Sequence, residues 1–175
     1  MAQANDKFVA IFDEVYGNLC RFLECLLGTH SAAQDIAQES FLRLHRFGIN
    51  RMPVDEARFW LFRVARNLAL NELEKGQTRA KFTGKVTEIF HSPVPNPEEI
   101  AGQLERKEKL FELLRTLPEH QRAALLLREQ EEMSYSEIAE VLKISESKVK
   151  SDIFRARNVL REKWNEMNKK PAKAF

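Results

Sequence analysis

Hydrophobic residues recur at steps of three and four along the first segment of the chain, residues 6–27. This spacing places them on one face of an α-helix. They are Phe8, Ile11, Phe12, Val15, Leu19, Phe22, Leu23 and Leu26. Gly28 ends the segment, and Ser31 is followed three residues later by Gln34. That pair is typical of a capping box and predicts that a second helix begins there.

The same spacing predicts two further helices before residue 80. The second covers about residues 32–46, and its inner side carries Ile36, Ala37, Phe41 and Leu44. Pro53 interrupts the pattern after this helix and indicates a loop. The third helix covers about residues 56–75. Because its segment FWLFRVA is apolar on nearly every side, we expect it to be the central helix of a small bundle.

The helical pattern fails between residues 83 and 102, where three prolines alternate with other residues in HSPVPNPEE. No helix tolerates that spacing, so the segment predicts an extended, flexible linker. Helical spacing resumes at about residues 104–114, 118–131, 134–142 and 146–167. The expected fold class is therefore all-α, with two small helical bundles, residues 1–82 and 103–175, on either side of the linker.

Composition excludes several classes of protein. Of 175 residues, 43% are hydrophobic and 31% are charged, which suits a soluble chain with a core. No apolar run reaches the roughly 18 residues that a membrane span needs, and the N-terminus lacks the layout of a secretory signal. We therefore expect a cytoplasmic protein without membrane insertion.

Candidate chemistry is sparse. Cys20 and Cys25 cannot by themselves form a disulfide framework or a four-ligand zinc site, and a redox role for them is a minor alternative. The four histidines lack metal-ligand spacing, and the sequence shows no Ser/His/Asp set, carboxylate pair or phosphate loop. We therefore expect no catalytic residue, no metal and no cofactor.

Basic residues are concentrated at the end of the chain. Residues 145–175 carry nine basic and four acidic side chains, whereas residues 1–80 carry ten of each. Such a run is either a solvated helix face or a surface that faces phosphate groups. The residues just before it favour the second interpretation.

The segment from residue 134 to residue 157 fits a helix-turn-helix. Ser134 and Glu137 form a capping box, and Val149 and Ile153 anchor the second helix to the bundle. A recognition helix needs one side in the core and an opposite side that carries donors for phosphates and base edges. Lys143 stands in the turn, where a left-handed conformation costs a non-glycine residue roughly 1 kcal/mol. The alternative is a helical hairpin that binds no ligand.

Three stretches of the chain resemble bacterial sigma factors. AAQDIAQESFLRLHR, residues 32–46, resembles their polymerase-binding helix, and FWLFRVARNLALNEL, residues 59–73, resembles the helix that opens the promoter −10 element. LPEHQRAALLLREQEEMSYSEIAEVL, followed by KVKSDIFRAR, is similar to their −35-binding domain. The order and spacing of the three stretches resemble the extracytoplasmic-function (ECF, group 4) sigma factors of the sigma-70 family.

This resemblance implies a function and a set of partners. Residues 1–82 would be the sigma-2 domain, which binds core polymerase and recognises and melts the −10 element. Residues 103–175 would be the sigma-4 domain, which reads the −35 element. The implied partners are core RNA polymerase, through its β′ coiled coil and β flap, promoter DNA and an anti-sigma factor. The chain would direct promoter-specific initiation, and the polymerase rather than the chain would be the enzyme.

The resemblance also implies three sets of contact residues. The set for core polymerase is Asp35, Gln38, Glu39, Leu42 and Arg43. The set for the melted −10 strand is Arg58, Trp60, Arg63, Arg66, Asn67 and Asn71. The set for −35 DNA is Lys148, Lys150, Ser151, Phe154, Arg155 and Arg157. Asp152 stands where the family commonly has a basic residue, and we expect it to face a cytosine amino group or solvent.

Two other functions are left open by the residues themselves. One is a helix-turn-helix regulator that binds duplex DNA without polymerase, and the other is a sigma-like interaction protein without a DNA function. Tight binding of core polymerase through residues 32–46 would exclude the first. The basic residues between Lys148 and Arg157 argue against the second.

Overall fold

The computed structural model describes residues 2–49, 52–83 and 108–169. Helices connected by short turns make up these residues, and no strand occurs among them, so the predicted all-α class is confirmed. The chain divides into two compact units, Met1–Ser92 and Pro93–Phe175. Apart from Thr83, the linker predicted for residues 83–102 lies outside the described residues.

Three helices form the described part of the first unit: α1 (Ala2–Leu27), α2 (His30–Phe47) and α3 (Val54–Thr83). Each packs against both of the others. The predicted apolar face of α1 supplies much of the core, which includes Ile11, Val15, Leu19, Phe22, Leu23 and Leu26. The ring of Phe22 meets that of Phe62 of α3 edge-on, with centroids 5.3 Å apart.

The connection between α1 and α2 explains why one predicted capping box is wrong. Gly28 has a φ of 79°, and its N–H donates to the Glu24 carbonyl at 2.7 Å, which ends α1. Extended Thr29 then precedes α2 and makes no side-chain cap hydrogen bond. Because only two residues separate the helices, Ser31 and Gln34 already lie inside α2, where they are exposed.

Helix α3 continues about two turns beyond the predicted end at residue 75. The extension, residues 76–83, has no apolar periodicity, but Gln, Arg, Ala and Lys in it are good helix formers. The prediction that this helix is the centre of the bundle is only partly right, because not all of its apolar residues are buried. Ala57, Leu61, Phe62, Ala65 and Ala69 are buried, whereas Phe59 and Trp60 are half-buried.

The second unit contains α4, described over residues 108–115, then α5 (Glu119–Glu129), α6 (Tyr135–Leu142) and α7 (Glu146–Lys169). Helix α5 is the centre of this unit, because residues 121–127 are all buried and the helix packs against both α6 and α7. The last two helices form the predicted helix-turn-helix.

The local signals of the helix-turn-helix are confirmed. The Glu137 N–H donates to Ser134 Oγ at 3.3 Å, and the Ser134 N–H donates to Glu137 Oε2 at 2.6 Å. Lys143 adopts the left-handed conformation, with φ 56° and ψ 45°, and its N–H donates to the Ala139 carbonyl. After this turn, Val149 and Ile153 hold α7 in the core, at 0% and 2% exposure.

Replacing Lys143 by glycine should raise the free energy of unfolding by up to about 1 kcal/mol, because glycine adopts a positive φ without a Cβ clash. The measurement is urea unfolding of the full chain, followed by circular dichroism. Lys143→Ala is the matched control, since it removes the same charge and stem but keeps Cβ, and it should bring no gain. Equal stability of the two variants would contradict the strain assigned to this turn.

Candidate nucleic-acid and polymerase interfaces

The outward side of α7 combines cations with an exposed aromatic ring. Lys150, Phe154 and Arg155 are exposed, Phe154 at 66%, and Ser151 is half-buried. Arg155 makes no ion pair or hydrogen bond within the part of the chain that the structure describes. Donors and an apolar ring on one side of a helix, with the opposite side in the core, can contact both phosphates and base edges.

A tyrosine ring links Lys150 to another helix. The Lys150 Nζ lies 5.5 Å from the centroid of the Tyr135 ring, and the Arg128 guanidinium carbon lies 5.2 Å from the same centroid. The two cations of α5 and α7 thus share the ring of α6, in cation–π contacts. Sequence reasoning missed Arg128 and Tyr135, because no local spacing shows that three helices meet there.

Asp152 contradicts both sequence-based expectations, since it faces neither solvent nor any surface where a base could lie. It is 0% exposed, because its position on α7 shares the core side with Val149, Ile153 and Ala156. Its Oδ1 accepts a hydrogen bond from Lys148 Nζ, and His120 Nε2 of α5 lies 3.7 Å from the same oxygen. Its Oδ2 has no hydrogen-bond partner in the part of the chain that the structure describes.

The first and the last cation of the predicted −35 set each form an ion pair with an acid. Lys148 is paired with Asp152, and Arg157 Nη2 lies 2.5 Å from Glu129 Oε1 of α5. The hydrogen bond to Glu129 raises the pKa of Arg157 above its ordinary value. At 3.6 residues per turn, Lys148 and Arg157 lie towards the edges of the outward side of α7, and Lys150 and Phe154 lie nearer its middle.

The five residues predicted to contact polymerase lie together on the outer side of α2. Asp35, Gln38, Leu42 and Arg43 are exposed, Leu42 at 52%, and Glu39 is half-buried. Arg43 Nε donates to Glu39 Oε1 at 2.8 Å, and this hydrogen bond lowers the pKa of Glu39. An exposed leucine among charged and amide side chains is the composition of a small protein-binding surface.

A polar row runs along the outer side of α3. Arg63, Asn67 and Asn71 follow one another at intervals of four residues, so they lie on successive turns. Both asparagines are exposed, and Arg63 is half-buried without an ion-pair partner in the described ranges. Arg58 and Arg66 are half-buried, and each makes a contact within the protein.

A stacked aromatic pair lies near the start of the same helix. The half-buried Trp60 stacks on Phe47 of α2, with ring centroids 5.6 Å apart, and Phe47 is 44% exposed. Phe47 was not among the residues predicted from the sequence. It ends α2 directly before Gly48, so nothing in its local pattern distinguishes it from a helix-terminal apolar residue.

The remaining candidates show no assembled chemistry. Cys20 is half-buried and Cys25 is buried, and neither forms a disulfide among the described residues. Burial raises the pKa of Cys20, which lowers its thiolate fraction. Within residues 2–49, 52–83 and 108–169, no cluster of three His, Cys, Asp or Glu side chains could hold a metal. Nor does any helix there have the length and apolarity to cross a membrane.

Comparison with known protein families gives two matches. The family described as "Sigma-70 region 2" matches residues 11–79, which contain the outer sides of α2 and α3. The description "Sigma-70, region 4" matches residues 107–160, which contain the helix-turn-helix. Each match falls within one of the two compact units.

Individual relatives agree with these matches. The chain is 32% identical over 158 residues to the ECF RNA polymerase sigma factor SigM of Bacillus subtilis, covering 87% of this chain and 94% of the relative. It is 34% identical over 139 residues to the ECF RNA polymerase sigma-E factor of Escherichia coli, covering 74% and 72%. Among solved structures, the sigma factor RpoE of Bartonella quintana, in complex with the anti-sigma factor NepR, shares the fold with a TM-score of 0.71. That likeness has 23% identity and covers 89% of this chain and 94% of the other.

Proposed function

The chain belongs to the ECF sigma factors of the sigma-70 family and directs transcription by RNA polymerase, and on this premise we propose how its surfaces divide that task. Residues 1–82 form the sigma-2 domain, residues 83–102 the linker and residues 103–175 the sigma-4 domain of a group 4 factor. The two regional matches, each confined to one compact unit, support this division.

Core polymerase binds the outer side of α2 through its β′ coiled coil. The support is the grouping of Asp35, Gln38, Glu39, Leu42 and Arg43 on one surface with an exposed leucine. The sigma-4 domain contacts the β flap. The polymerase supplies the chemistry in the cytoplasm, and the chain supplies no catalytic group. An anti-sigma factor restrains the free chain, as the complex of the Bartonella sigma factor suggests by analogy.

The melted −10 strand follows the outer side of α3. Asn67 and Asn71 present amide donors and acceptors one turn apart, and an amide can pair with an adenine edge. Arg63 adds a cation to the same row, and Trp60 contributes aromatic surface beside it. Arg58 and Arg66 are further cations of the same helix. Single strands bind well to such a combination of cations and rings, because unstacked bases need a new stacking partner.

The −35 duplex meets the outward side of α7. The observation that carries this proposal is the arrangement of Lys150, Ser151, Phe154 and Arg155 opposite a side that is fixed in the core. In a helix-turn-helix, this is the side that enters the major groove. The same surface would serve a regulator that works without polymerase, and binding to core polymerase separates the two functions.

Asp35→Lys together with Gln38→Ala should weaken binding to core polymerase by about tenfold or more. The two changes replace an acid by a base and remove an amide at the proposed contact surface. The measurement is titration of labelled full-length protein with core polymerase, followed by run-off transcription. Glu14→Lys, a reversal of an exposed acid on α1, is the matched control and should leave both unchanged. Unchanged transcription by the α2 variant would remove the polymerase role of this helix.

Asn67→Ala should reduce open-complex formation by the holoenzyme about tenfold, since a good base contact is worth about 1–3 kcal/mol. Asn71→Ala should act in the same direction. Permanganate reactivity of thymines in a duplex promoter measures the melting. Binding of the same variants to a −35 duplex is the control and should not change. An equal loss in both assays would indicate misfolding rather than a lost base contact.

Lys150→Ala and Arg155→Ala, tested separately, should show which cation reads a base. A base-reading residue should cost about 1–3 kcal/mol on the preferred −35 duplex and little on a scrambled one. Run-off transcription from a randomised promoter library supplies the preferred sequence, and fluorescence anisotropy of the full chain measures the affinities. Arg161→Ala removes an exposed cation further along α7 and is the control. Equal losses on both duplexes would restrict α7 to backbone contacts.

A further inference from the structure

We propose that Asp152 withholds Lys148 from the DNA backbone and thereby lowers the sequence-independent affinity of α7. The inference rests on the proposed −35 role of that helix and adds a residue to it. Asp152 is therefore a positioning residue, since it acts through Lys148 and does not touch DNA itself. The argument depends on three features: the burial of the carboxylate, the shortage of other partners and the place of Lys148 on the helix.

The carboxylate of Asp152 is fully removed from water. It is 0% exposed, and one of its two oxygens, Oδ2, has no hydrogen-bond partner among the described residues. A charged group that has lost its hydration is strongly destabilised unless a cation and hydrogen bonds replace the water. The remaining oxygen, Oδ1, therefore carries nearly all the compensation that the protein can offer.

Among the described residues, two cationic or protonatable groups lie close to that oxygen. Lys148 Nζ donates a hydrogen bond to it from one helical turn before, on α7 itself. His120 Nε2, on α5, is 3.7 Å away, which is beyond hydrogen-bond distance, and the His120 side chain is 45% exposed. If Lys148 moved to a phosphate, Asp152 would keep only the histidine. The ion pair therefore opposes that movement more strongly than an exposed surface pair would.

Lys148 is placed where a free lysine would bind phosphate. Its backbone N–H donates to Ser145 Oγ at 3.2 Å, so it lies in the first turn of α7. The first turns of a recognition helix lie nearest the DNA. A lysine that neutralises a phosphate releases a counterion and steepens the dependence of affinity on salt by about one unit. By pairing with Lys148, Asp152 removes this contribution to the affinity. Contact with DNA is then left to the side chains on the outward side of α7.

The test compares three full-length proteins: the natural chain, Asp152→Asn, and Asp152→Asn with Lys148→Ala. Asparagine keeps the shape of the buried side chain and removes its charge, so Lys148 becomes free. The logarithm of the affinity for a scrambled duplex should then fall with the logarithm of the salt concentration about one unit more steeply than in the natural chain. The double variant should return to the slope of the natural chain, because Lys148 contributes to the slope in neither protein: Asp152 withholds it in the natural chain, and the double variant lacks it.

Two results would overturn the inference. One is an Asp152→Asn slope equal to that of the natural chain. The other is a salt dependence that is about one unit steeper in the natural chain than in the double variant, because Lys148 would then already bind phosphate in the natural chain. The second comparison remains decisive if Asp152→Asn alone does not fold, since the double variant carries neither charge.

Two further variants separate this inference from the proposed function. Glu146→Gln removes an exposed acid without an ion pair in the described chain, from the same end of α7, and should leave the slope unchanged. A steeper slope with Glu146→Gln as well would assign the effect to general charge and overturn the role of Lys148. Lys150→Ala combined with Arg155→Ala reports on α7 itself. If this pair of substitutions leaves the affinity for matched and scrambled duplexes unchanged, the −35 role of α7 fails whatever Asp152 does.

Discussion

Burial of one side of α7 is the constraint on which the rest of the proposed −35-binding surface depends. Val149, Ile153 and Ala156 are at most 2% exposed, and they pack into a unit whose central helix, α5, is buried over seven consecutive residues. Full burial of a valine or isoleucine contributes about 1.5–3 kcal/mol, whereas an exposed ion pair contributes about 0–1 kcal/mol. The apolar contacts therefore fix the rotation of α7, and its polar contacts adjust to that rotation.

The same constraint acts on α3 in the first unit, with smaller side chains. Ala57, Ala65 and Ala69 are buried beside Leu61 and Phe62, so neighbouring helices can approach α3 closely. Arg63, Asn67 and Asn71 then face outward as a consequence of the helical repeat. In both units, the surface proposed to bind DNA is defined by what the opposite side of the same helix buries.

This constraint also explains how much of the structure could be predicted from the sequence. Periodicity identifies which side of α1 and α7 is buried, and the Ser134–Glu137 box marks the start of α6, because each of these signals is local. The similar Ser31–Gln34 pattern fails, because the two-residue turn after α1 starts α2 before the box. A capping pattern is compatible with a helix start, but the neighbouring turn determines where the helix begins.

The partners of charged residues could not be predicted, because they come from other helices or from the direction in which a side chain turns. Asp152 reads as an outward acid in a basic segment, yet it is buried beside Lys148 and near His120 of α5. Arg157 reads as a DNA contact, and Glu129, which pairs with it, is 28 residues away in the sequence. The contact of Arg128 and Lys150 with Tyr135 likewise joins three helices.

These ion pairs change what the basic end of the chain means for promoter binding. Residues 145–175 carry nine basic side chains, but Lys148 is paired with the buried Asp152, and Arg157 forms an exposed ion pair with Glu129. Since sequence-independent affinity grows with the number of phosphates neutralised, the sigma-4 domain proposed here has a weaker hold on DNA than its composition indicates. A second site on the same promoter then matters more, because two linked contacts bind far more tightly than either alone. Polymerase bound to α2 would supply that linkage and would make recognition of the −35 element depend on the complete holoenzyme.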